Sequence, residues 1–373
     1  MFKRVLIANR GEIAVRIIRA CQEMGIETVA VYSDEDADAM HVRLADYSYN
    51  IGPADASESY LNIDALMEAA ERTEADAVHP GYGFLSEDAD FAEMVTKAGM
   101  TWIGPWADTI RKVGDKDEAR AAMIPSGIPM SKGSTPLTSV EDAVEQAKDV
   151  GYPIILKPVA GGGGKGMLIA NSEDDLRNIL TIIDINKVKY YFEHYIEHSR
   201  HIEVQIVADN YGHVIHLGER ECSLQRRNQK LLEESPSIAL TPDRRAEVGA
   251  LAIKAAKSVH YNNIGTVEFL LDLKTNQFNF MEINPRIQVE HGVTEAVTGI
   301  DLVRTQIRIA AGESLDLQQE DVKFTGHAIE CRINAEDPDN NFMPSPGKID
   351  FFLEPGGPRV RVDSGVCAGL SIS

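Results

Sequence analysis

Two glutamates in neighbouring apolar segments are the first residues whose placement suggests chemistry. The segments flank a turn-like stretch at 274–276, which predicts a β-hairpin. If the hairpin is symmetric about Thr275, Glu268 lies directly opposite Glu282. Like charges in that position destabilise a sheet, and a divalent cation between them reverses the effect. Oxygen ligands with no His or Cys nearby favour Mg²⁺; the alternative is an exposed hairpin with two solvated glutamates.

Polar side chains recur at every second residue after Glu282. The polar residues Asn284, Arg286, Gln288 and Glu290 alternate with Ile283, Pro285, Ile287 and Val289. In an extended chain this period of two places all the polar groups on one face. A strip of carboxylate, amide, guanidinium, amide and carboxylate groups therefore predicts an active site, although surface strands without function also alternate.

A glycine-rich stretch at 161–166 lies between two apolar segments. Successive glycines let backbone N–H groups approach an anion, and Lys165 adds positive charge. A Walker A loop requires Gly-Lys-Ser/Thr leading into a helix, whereas Gly166 is followed by Met167 and a strand-like run. We therefore expect a glycine-tipped hairpin that covers phosphates; a flexible hairpin tip without function is the alternative.

Two further cationic features, a run of cations and a single arginine, allow both a functional and a purely structural interpretation. Four cations occur in the eleven residues from Arg220 to Lys230, these two included. Such a run is often only solvated, but in an acidic protein it marks a candidate anion site. Arg332 alternates with apolar neighbours, which fits either a site residue or a salt-bridged strand residue.

Composition limits the class of protein. The 373 residues carry a formal net charge of −21, with 43% hydrophobic and 25% charged residues, so we expect two or three folded domains. The acidity disfavours binding to nucleic-acid backbones. No apolar run is long enough to span a membrane. Four isolated cysteines indicate neither a zinc site nor a disulfide framework, which favours the reducing cytoplasm.

The segments that must position these residues begin with a strand, a helix and a strand. This order predicts an α/β fold with a parallel, doubly wound sheet, and it continues through helices at 64–72 and 91–98 and strands at 77–79 and 101–104. The first turn holds a single glycine, so a nicotinamide-binding fingerprint is disfavoured. Turn residues at 125–136 suggest a domain boundary.

Taken together, these segments closely resemble the biotin carboxylase component of biotin-dependent carboxylases, in the ATP-grasp superfamily. The matching stretches occur in the family's order at 8–14, 79–87, 161–167, 218–230, 281–291 and 330–336. The resemblance implies an N-terminal Rossmann-like domain at 1–113, an ATP-grasp domain at 114–317 with a lid at about 130–195, and an α+β C-terminal domain at 318–373 that is shorter than usual.

The resemblance also implies a role for each matching side chain. ATP binding falls to Lys116, Lys157, Gly162, Gly163, Gly164, Lys165, Gly166, Met167, Glu193, His194, Tyr195, Ile196, His201, Gln225 and Asn228. Mg²⁺, with Mn²⁺ as an alternative, falls to Glu268, Glu282 and Asn284. Bicarbonate and biotin fall to Lys230, Arg286, Gln288, Val289 and Arg332. The implied catalytic residues are Glu290 as general base, Arg286 and Lys230 on bicarbonate, and Arg332 on the biotin oxyanion.

The reaction implied by the resemblance is ATP-driven carboxylation of biotin through carboxyphosphate. Biotin would arrive on a carrier protein, since the chain has no Met-Lys acceptor pair, and a carboxyltransferase and a second copy of the chain are the expected partners. Asn228 replaces the family's usual His, His194 replaces its usual Lys, and the stretch at 176–192 is several residues short. Another ATP-grasp ligase forming an acyl or carbamoyl phosphate is one alternative; a nucleotide-binding partner without turnover is another.

Overall fold

The computed structural model describes residues 1–159, 166–185 and 187–372. The predicted phosphate contacts of Gly162, Gly163, Gly164 and Lys165 lie outside the described residues. Within the described ranges, no helix has both the length and the apolar character that a membrane crossing requires.

The N-terminal part is the expected parallel sheet flanked by helices. Its strands pair in the order β3-β2-β1-β4-β5, all parallel; they are β1 (Arg4–Ile7), β2 (Glu27–Tyr32), β3 (Tyr47–Asn50), β4 (Ala77–His79) and β5 (Thr101–Trp102). The helices are α1 (Gly11–Glu23), α2 (Met40–Leu44), α3 (Ile63–Arg72), α4 (Ala89–Lys97) and α5 (Ala107–Gly114). Covered on both faces, β1 has no polar alternation. The strand β3 was not predicted, because this edge strand is mostly exposed and has no apolar run.

The next part forms a small antiparallel sheet with its own apolar core. Strands pair in the order β7-β6-β8, and the predicted hairpin of two apolar segments is confirmed as β6 with β7. The elements are α6 (Lys116–Met123), α7 (Val140–Val150), β6 (Ile154–Pro158), β7 (Leu168–Ala170), α8 (Glu173–Ile182) and β8 (Tyr190–His194). Helices α7 and α8 pack their buried faces on this sheet around Leu156 and Phe192.

A six-stranded antiparallel sheet forms the centre of the molecule. Its order is β13-β12-β9-β10-β11-β14; the strands are β9 (Ser199–Ala208), β10 (Val214–Arg226), β11 (Gln229–Ser235), β12 (Asn263–Asp272), β13 (Phe278–Asn284) and β14 (Ala328–Cys331). The helices are α9 (Pro242–Ser258), α10 (His291–Thr298) and α11 (Leu302–Ala310). In one apolar cluster, α9 packs against the face of the sheet that carries Val204 and Val267. A second cluster joins Val207 and Ile287 to α1 of the N-terminal part, so both parts share a core.

The C-terminal residues complete the edge of this sheet and add short strands. β14 pairs with β11. The remaining strands form two small antiparallel pairs, β15 (Glu336–Asp337) with β16 (Met343–Pro344) and β17 (Gly347–Lys348) with β18 (Ser371–Ile372). This part therefore brings β14, and Arg332 just after it, to the end of the central sheet.

Candidate active site

The predicted pairing of the two hairpin glutamates is confirmed: Glu268 in β12 lies directly opposite Glu282 in β13. The assumption that led to it is wrong in one respect. Nearer the turn, Phe269 pairs with Phe280, so the register is shifted by one residue and the hairpin is not symmetric about Thr275. A β-bulge between the two pairs places Glu282, rather than its neighbour, opposite Glu268. Bulges commonly redirect a side chain in this way beside active sites.

Glu268 is a buried carboxylate with four donors around it. Its Oε2 accepts a hydrogen bond from Nε2 of His201 at 2.8 Å, and Oε1 accepts from Nζ of Lys230, Nδ2 of Asn284 and Nε2 of Gln288, each at 2.9 Å. Burial alone favours the neutral acid, but the positive charges of Lys230 and then His201 hold the pKa of Glu268 well below its usual range. Glu268 is therefore ionised at neutral pH.

Glu282 has a different environment. Its side chain remains accessible to solvent, yet the surrounding protein and the facing Glu268 carboxylate raise its pKa, while Lys116 acts in the opposite direction. A divalent cation between the two carboxylates would remove this repulsion, and Oε2 of Glu268 accepts only one hydrogen bond among the described residues. The pair of carboxylates, with the amide oxygen of Asn284, is thus a donor set of the kind that Mg²⁺ prefers.

The alternation of polar and apolar residues continues as far as Gln288, after which the chain turns. Ile283, Pro285 and Ile287 are buried on the side away from the cleft. Glu290 does not continue the extended strip as predicted; it is the residue before α10, with φ −76° and ψ 11°. The turn still brings it to the site, because its side chain is 2% exposed and contacts the cleft cations.

Lys230 connects the carboxylates of the cleft. Its Nζ donates to Oε1 of Glu290 at 2.7 Å, to Oε1 of Glu268 and to Oε2 of Glu203. These bonds use all three ammonium donors. Burial opposes the charged form, but Glu203, Glu268 and Glu290 together raise the pKa of Lys230 well above its usual value. Lys230 is thus a permanent cation whose carboxylate partners an incoming anion must displace.

Arg286 and Arg332 approach the same cleft from different directions. Nε of Arg286 donates to Oε1 of Glu87 at 2.7 Å, which ties it to the 79–87 stretch of the N-terminal part. Asn9 holds that stretch by donating from Nδ2 to two of its backbone carbonyls. Nη2 of Arg332 donates to Oε2 of Glu290 at 2.8 Å. Two of the stretches that carried the resemblance therefore build this side of the cleft.

Sequence reasoning missed two buried residues beneath the site, Arg220 and Glu203. Arg220, with 0% exposure, donates to five side chains: Glu203, Gln205, Thr266, Gln288 and Thr294. Arg220 thereby orients Gln288, and Glu203 orients Lys230. The sequence showed Arg220 only as part of a cation run and Glu203 in a strand-like segment. Its local pattern carried no sign that these two residues meet across neighbouring strands.

The predicted nucleotide contacts lie on the small sheet and at the adjoining end of the large one. Nζ of Lys157 donates to Oε2 of Glu193 at 2.7 Å across β6 and β8. Nδ1 of His194 is 3.1 Å from the carbonyl oxygen of Gly151. The backbone N–H of Tyr195 donates to the carbonyl oxygen of Pro153, and Ile196 follows directly in the chain. Lys116 begins α6. Gly166, with φ +76°, and Met167 lead into β7.

The remaining predicted nucleotide residues belong to the large sheet. Nε2 of Gln225 lies 3.0 Å from Nδ1 of His201, the side chain that contacts Glu268. Asn228 lies with Arg227 in the turn between β10 and β11, and both have positive φ, 62° and 53°. Asparagine tolerates this backbone conformation better than most residues.

A central antiparallel sheet, a small sheet that contains the β6–β7 hairpin and a cleft with facing carboxylates define an ATP-grasp enzyme. Comparison with known families places the chain more closely. Residues 1–110 match the biotin carboxylase N-terminal domain, residues 115–318 the ATP-binding domain of the carbamoyl-phosphate synthase L chain, and residues 330–373 the biotin carboxylase C-terminal domain.

Individual relatives agree. The chain is 55% identical to Biotin carboxylase 1 of Bacillus subtilis and 54% identical to the biotin carboxylase of Nostoc sp.; each match covers the whole chain and 84% of the relative. A crystal structure of the biotin carboxylase domain dimer of Hydrogenobacter thermophilus 2-oxoglutarate carboxylase, with MgADP and bicarbonate, matches with a TM-score of 0.95 at 48% identity, covering 100% of this chain and 83% of that one. The crystal structure of the Campylobacter jejuni biotin carboxylase matches with a TM-score of 0.95 at 47% sequence identity, covering 100% of this chain and 84% of that one. The chain belongs to the biotin carboxylase family.

Proposed function

We propose that this protein carboxylates biotin with bicarbonate and ATP through carboxyphosphate, and that different side chains of the cleft bind the metal, the nucleotide, bicarbonate and biotin. The observation that carries the proposal is one connected chain of ion pairs. Lys230 joins Glu268 to Glu290, and Glu290 joins Lys230 to Arg332. Three successive contacts therefore connect the carboxylate proposed for the metal, the cation for bicarbonate, the base and the arginine for biotin.

ATP is proposed to bind between the small sheet and β13. Lys116 and Lys157 are proposed to contact the phosphates or the adenine; both act electrostatically on Glu282, so they lie near the proposed metal carboxylates. Mg²⁺, when bound to Glu268, Glu282 and Asn284, supplies positive charge to the phosphates. Glu193 to Ile196 are proposed to line the adenine pocket, with His201, Gln225 and Asn228 completing the nucleotide site.

Bicarbonate is proposed to bind where Arg286, Gln288 and Lys230 converge, with the backbone of Val289 beside them. Charge-assisted hydrogen bonds from two cations favour a small anion there. Glu290 then accepts the bicarbonate O–H proton, and the resulting oxyanion attacks the γ-phosphorus while ADP leaves. Lys230 and Arg286 stabilise the charge that develops on the attacking group.

Biotin is proposed to approach from the side of Arg332. Its guanidinium would stabilise the negative charge on the ureido oxygen as the biotin nitrogen loses its proton. Carboxyphosphate breaks into CO₂ and phosphate beside that nitrogen. The phosphate takes the proton of the nitrogen, which then forms a bond to the carbon of CO₂. We further propose a biotin carrier protein and a carboxyltransferase as partners, a homodimer like that of the 2-oxoglutarate carboxylase domain, a cytoplasmic location and domain limits at 1–113, 114–317 and 318–373.

The test is an ATPase assay with and without bicarbonate and free biotin. We expect Mg²⁺-dependent ATP hydrolysis that requires bicarbonate, and carboxybiotin formation when biotin is added. ATP hydrolysis that responds to an amine or another carboxylate, and not to biotin, would instead indicate a different ATP-grasp ligase. Binding of ATP without turnover would contradict both.

A further inference from the structure

Arg332 lies between two carboxylates, and the two contacts differ in quality. Nη2 donates a well-aligned hydrogen bond to Oε2 of Glu290 at 2.8 Å. On the other side, Nε lies 2.8 Å from Oε1 of Glu233. That N–H does not point at the oxygen, so neither Nε nor either oxygen of Glu233 has a hydrogen-bond partner among the described residues. Arg332 therefore has a second carboxylate at contact distance that it does not yet use as an acceptor.

Glu233 is unusual because it is completely buried. Its side chain has 0% exposure, and buried carboxylates without hydrogen bonds are costly and rare. It also lies directly opposite Glu330 across β11 and β14. Burial, with Glu290 and Glu203 adding to it and Arg332 opposing it, raises the pKa of Glu233 to about 7. Burial and then Glu233 raise the pKa of Glu330 to about 8.

We propose that Glu233 is a positioning residue that holds Arg332 in place during the biotin step, after Glu290 has lost its charge. The inference rests on the proposed function, in which Glu290 takes a proton from bicarbonate. A neutral Glu290 no longer forms an ion pair, so Arg332 would lose the only well-aligned counterion it has among the described residues just before it must face the ureido oxygen. Glu233 supplies a replacement: a small turn of the guanidinium aligns Nε–H with Oε1 and leaves the Nη groups for biotin.

The charges around the pair determine when Glu233 can act. Glu233 faces Arg332, Glu290 before α10, Glu203 of β9 and Lys230 of β11. Glu330 faces Glu233, Glu290, Arg332 and Arg220, adjoins Arg361 near Gly292, and acts on Tyr82 of the N-terminal part. In the resting site Glu233 takes a proton below about pH 7 and then cannot serve as a counterion. Once Glu290 is neutral it no longer raises the pKa of Glu233, so the acid limb of the biotin step should lie somewhat below that pH. Bicarbonate-dependent ATP hydrolysis without biotin should not share this limb.

The experiment uses the full chain with free biotin as the probe and compares Glu233→Gln with Glu234→Gln. Glu234 is the matched control, because it is the next residue and bonds His327 on the other face of the strand. For Glu233→Gln we expect a fall of about tenfold in kcat/KM for biotin, the equivalent of one hydrogen bond to a charged group. Its acid limb should disappear, and ATP hydrolysis without biotin should stay within about twofold. Glu234→Gln should change neither reaction.

Glu330→Gln provides the second variant. Removing the facing carboxyl group should leave the acid limb of the biotin reaction in place, because Glu330, whose pKa is raised to about 8, is still mostly neutral when Glu233 ionises. An unchanged biotin kcat/KM in Glu233→Gln, or a parallel loss of both reactions, would overturn the proposal. If Glu233→Gln does not fold, loss of the acid limb in Glu330→Gln would overturn it, because the limb would then belong to Glu330. Wild-type protein without bicarbonate-dependent ATP hydrolysis would refute the proposed function itself, and this inference with it.

Discussion

Two of the cross-strand glutamate pairs in the six-stranded sheet differ in the hydrogen-bond donors that reach them. Glu268 and Glu282 face each other across β12 and β13, and Glu233 and Glu330 across β11 and β14. Glu268 accepts four hydrogen bonds from side chains, whereas Glu233 accepts none from the described residues. The pKa of Glu268 is accordingly held well below its usual range, while that of Glu233 is raised to about 7.

The difference shows that burial alone does not fix the charge of a buried glutamate. Both residues are almost fully buried, and in both burial favours the neutral acid. What separates them is the supply of aligned cations and amides. Glu268 is kept charged, as the proposed metal site requires, whereas the pKa of Glu233 lies near neutral pH, as the proposed response to the catalytic cycle requires. Glu290 lies between them, bonded to Lys230 on one side and Arg332 on the other.

The largest effect is expected for a substitution of Glu290, the carboxylate that lies between the two glutamate pairs. Glu290→Gln keeps the shape of the side chain but cannot accept the bicarbonate proton. General-base catalysis is typically worth about 10²–10⁴ in rate, so we expect biotin carboxylation to fall by that factor while ATP binding is nearly unchanged. Steady-state carboxylation and nucleotide titration measure the two. If more than about a tenth of the wild-type rate remains, outside that range, the base is another group.

The next effect concerns the metal. Glu268→Gln and Glu282→Gln should each raise the Mg²⁺ concentration needed for ATP turnover by at least about tenfold, because each removes one charged oxygen ligand, and loss of even a supporting contact at a metal site costs that much. Mg²⁺ titrations of ATP hydrolysis measure this, with Glu234→Gln as control. An unchanged Mg²⁺ dependence in both variants would remove these residues from the metal site.

The same two variants should differ in stability without metal. Glu282→Gln removes a repulsion and should stabilise the fold by up to about 1 kcal/mol. Glu268→Gln loses charged hydrogen bonds from Lys230 and His201, and such bonds are worth about 1.5–3 kcal/mol each, so it should lower the unfolding temperature. A stabilising effect of both would be expected only if Glu268 were as poorly supplied with donors as Glu282. Thermal unfolding in EDTA gives the result.

The sequence made the first pair visible but not the second, for a physical reason. Glu268 and Glu282 belong to one hairpin, where the turn limits the register, and even the one-residue bulge did not hide them. The alternation up to Gln288 follows from the geometry of an extended chain. Glu233 and Glu330, in contrast, meet through strands that are far apart in the sequence. Their pairing depends on the packing of the whole sheet, as does the burial of Arg220.

The smallest effect tests the second pair through the dependence of stability on pH. The folded-state pKa of Glu330 is raised to about 8, above the unfolded value of about 4.3. The folded protein therefore binds more protons between these values, and the contribution of Glu330 to stability declines as pH rises through that window.

Glu330→Gln removes this decline and relieves the repulsion on Glu233. We expect the variant to unfold at nearly the wild-type temperature at pH 5 and at a higher temperature at pH 8.5. The equivalent change at Glu234, which bonds His327, should show no such gain at high pH. If Glu330→Gln is destabilising at pH 8.5, Glu330 is stabilised as a charged group by Arg332 and Arg220, and the proposed contrast between the two glutamate pairs would be wrong for Glu330.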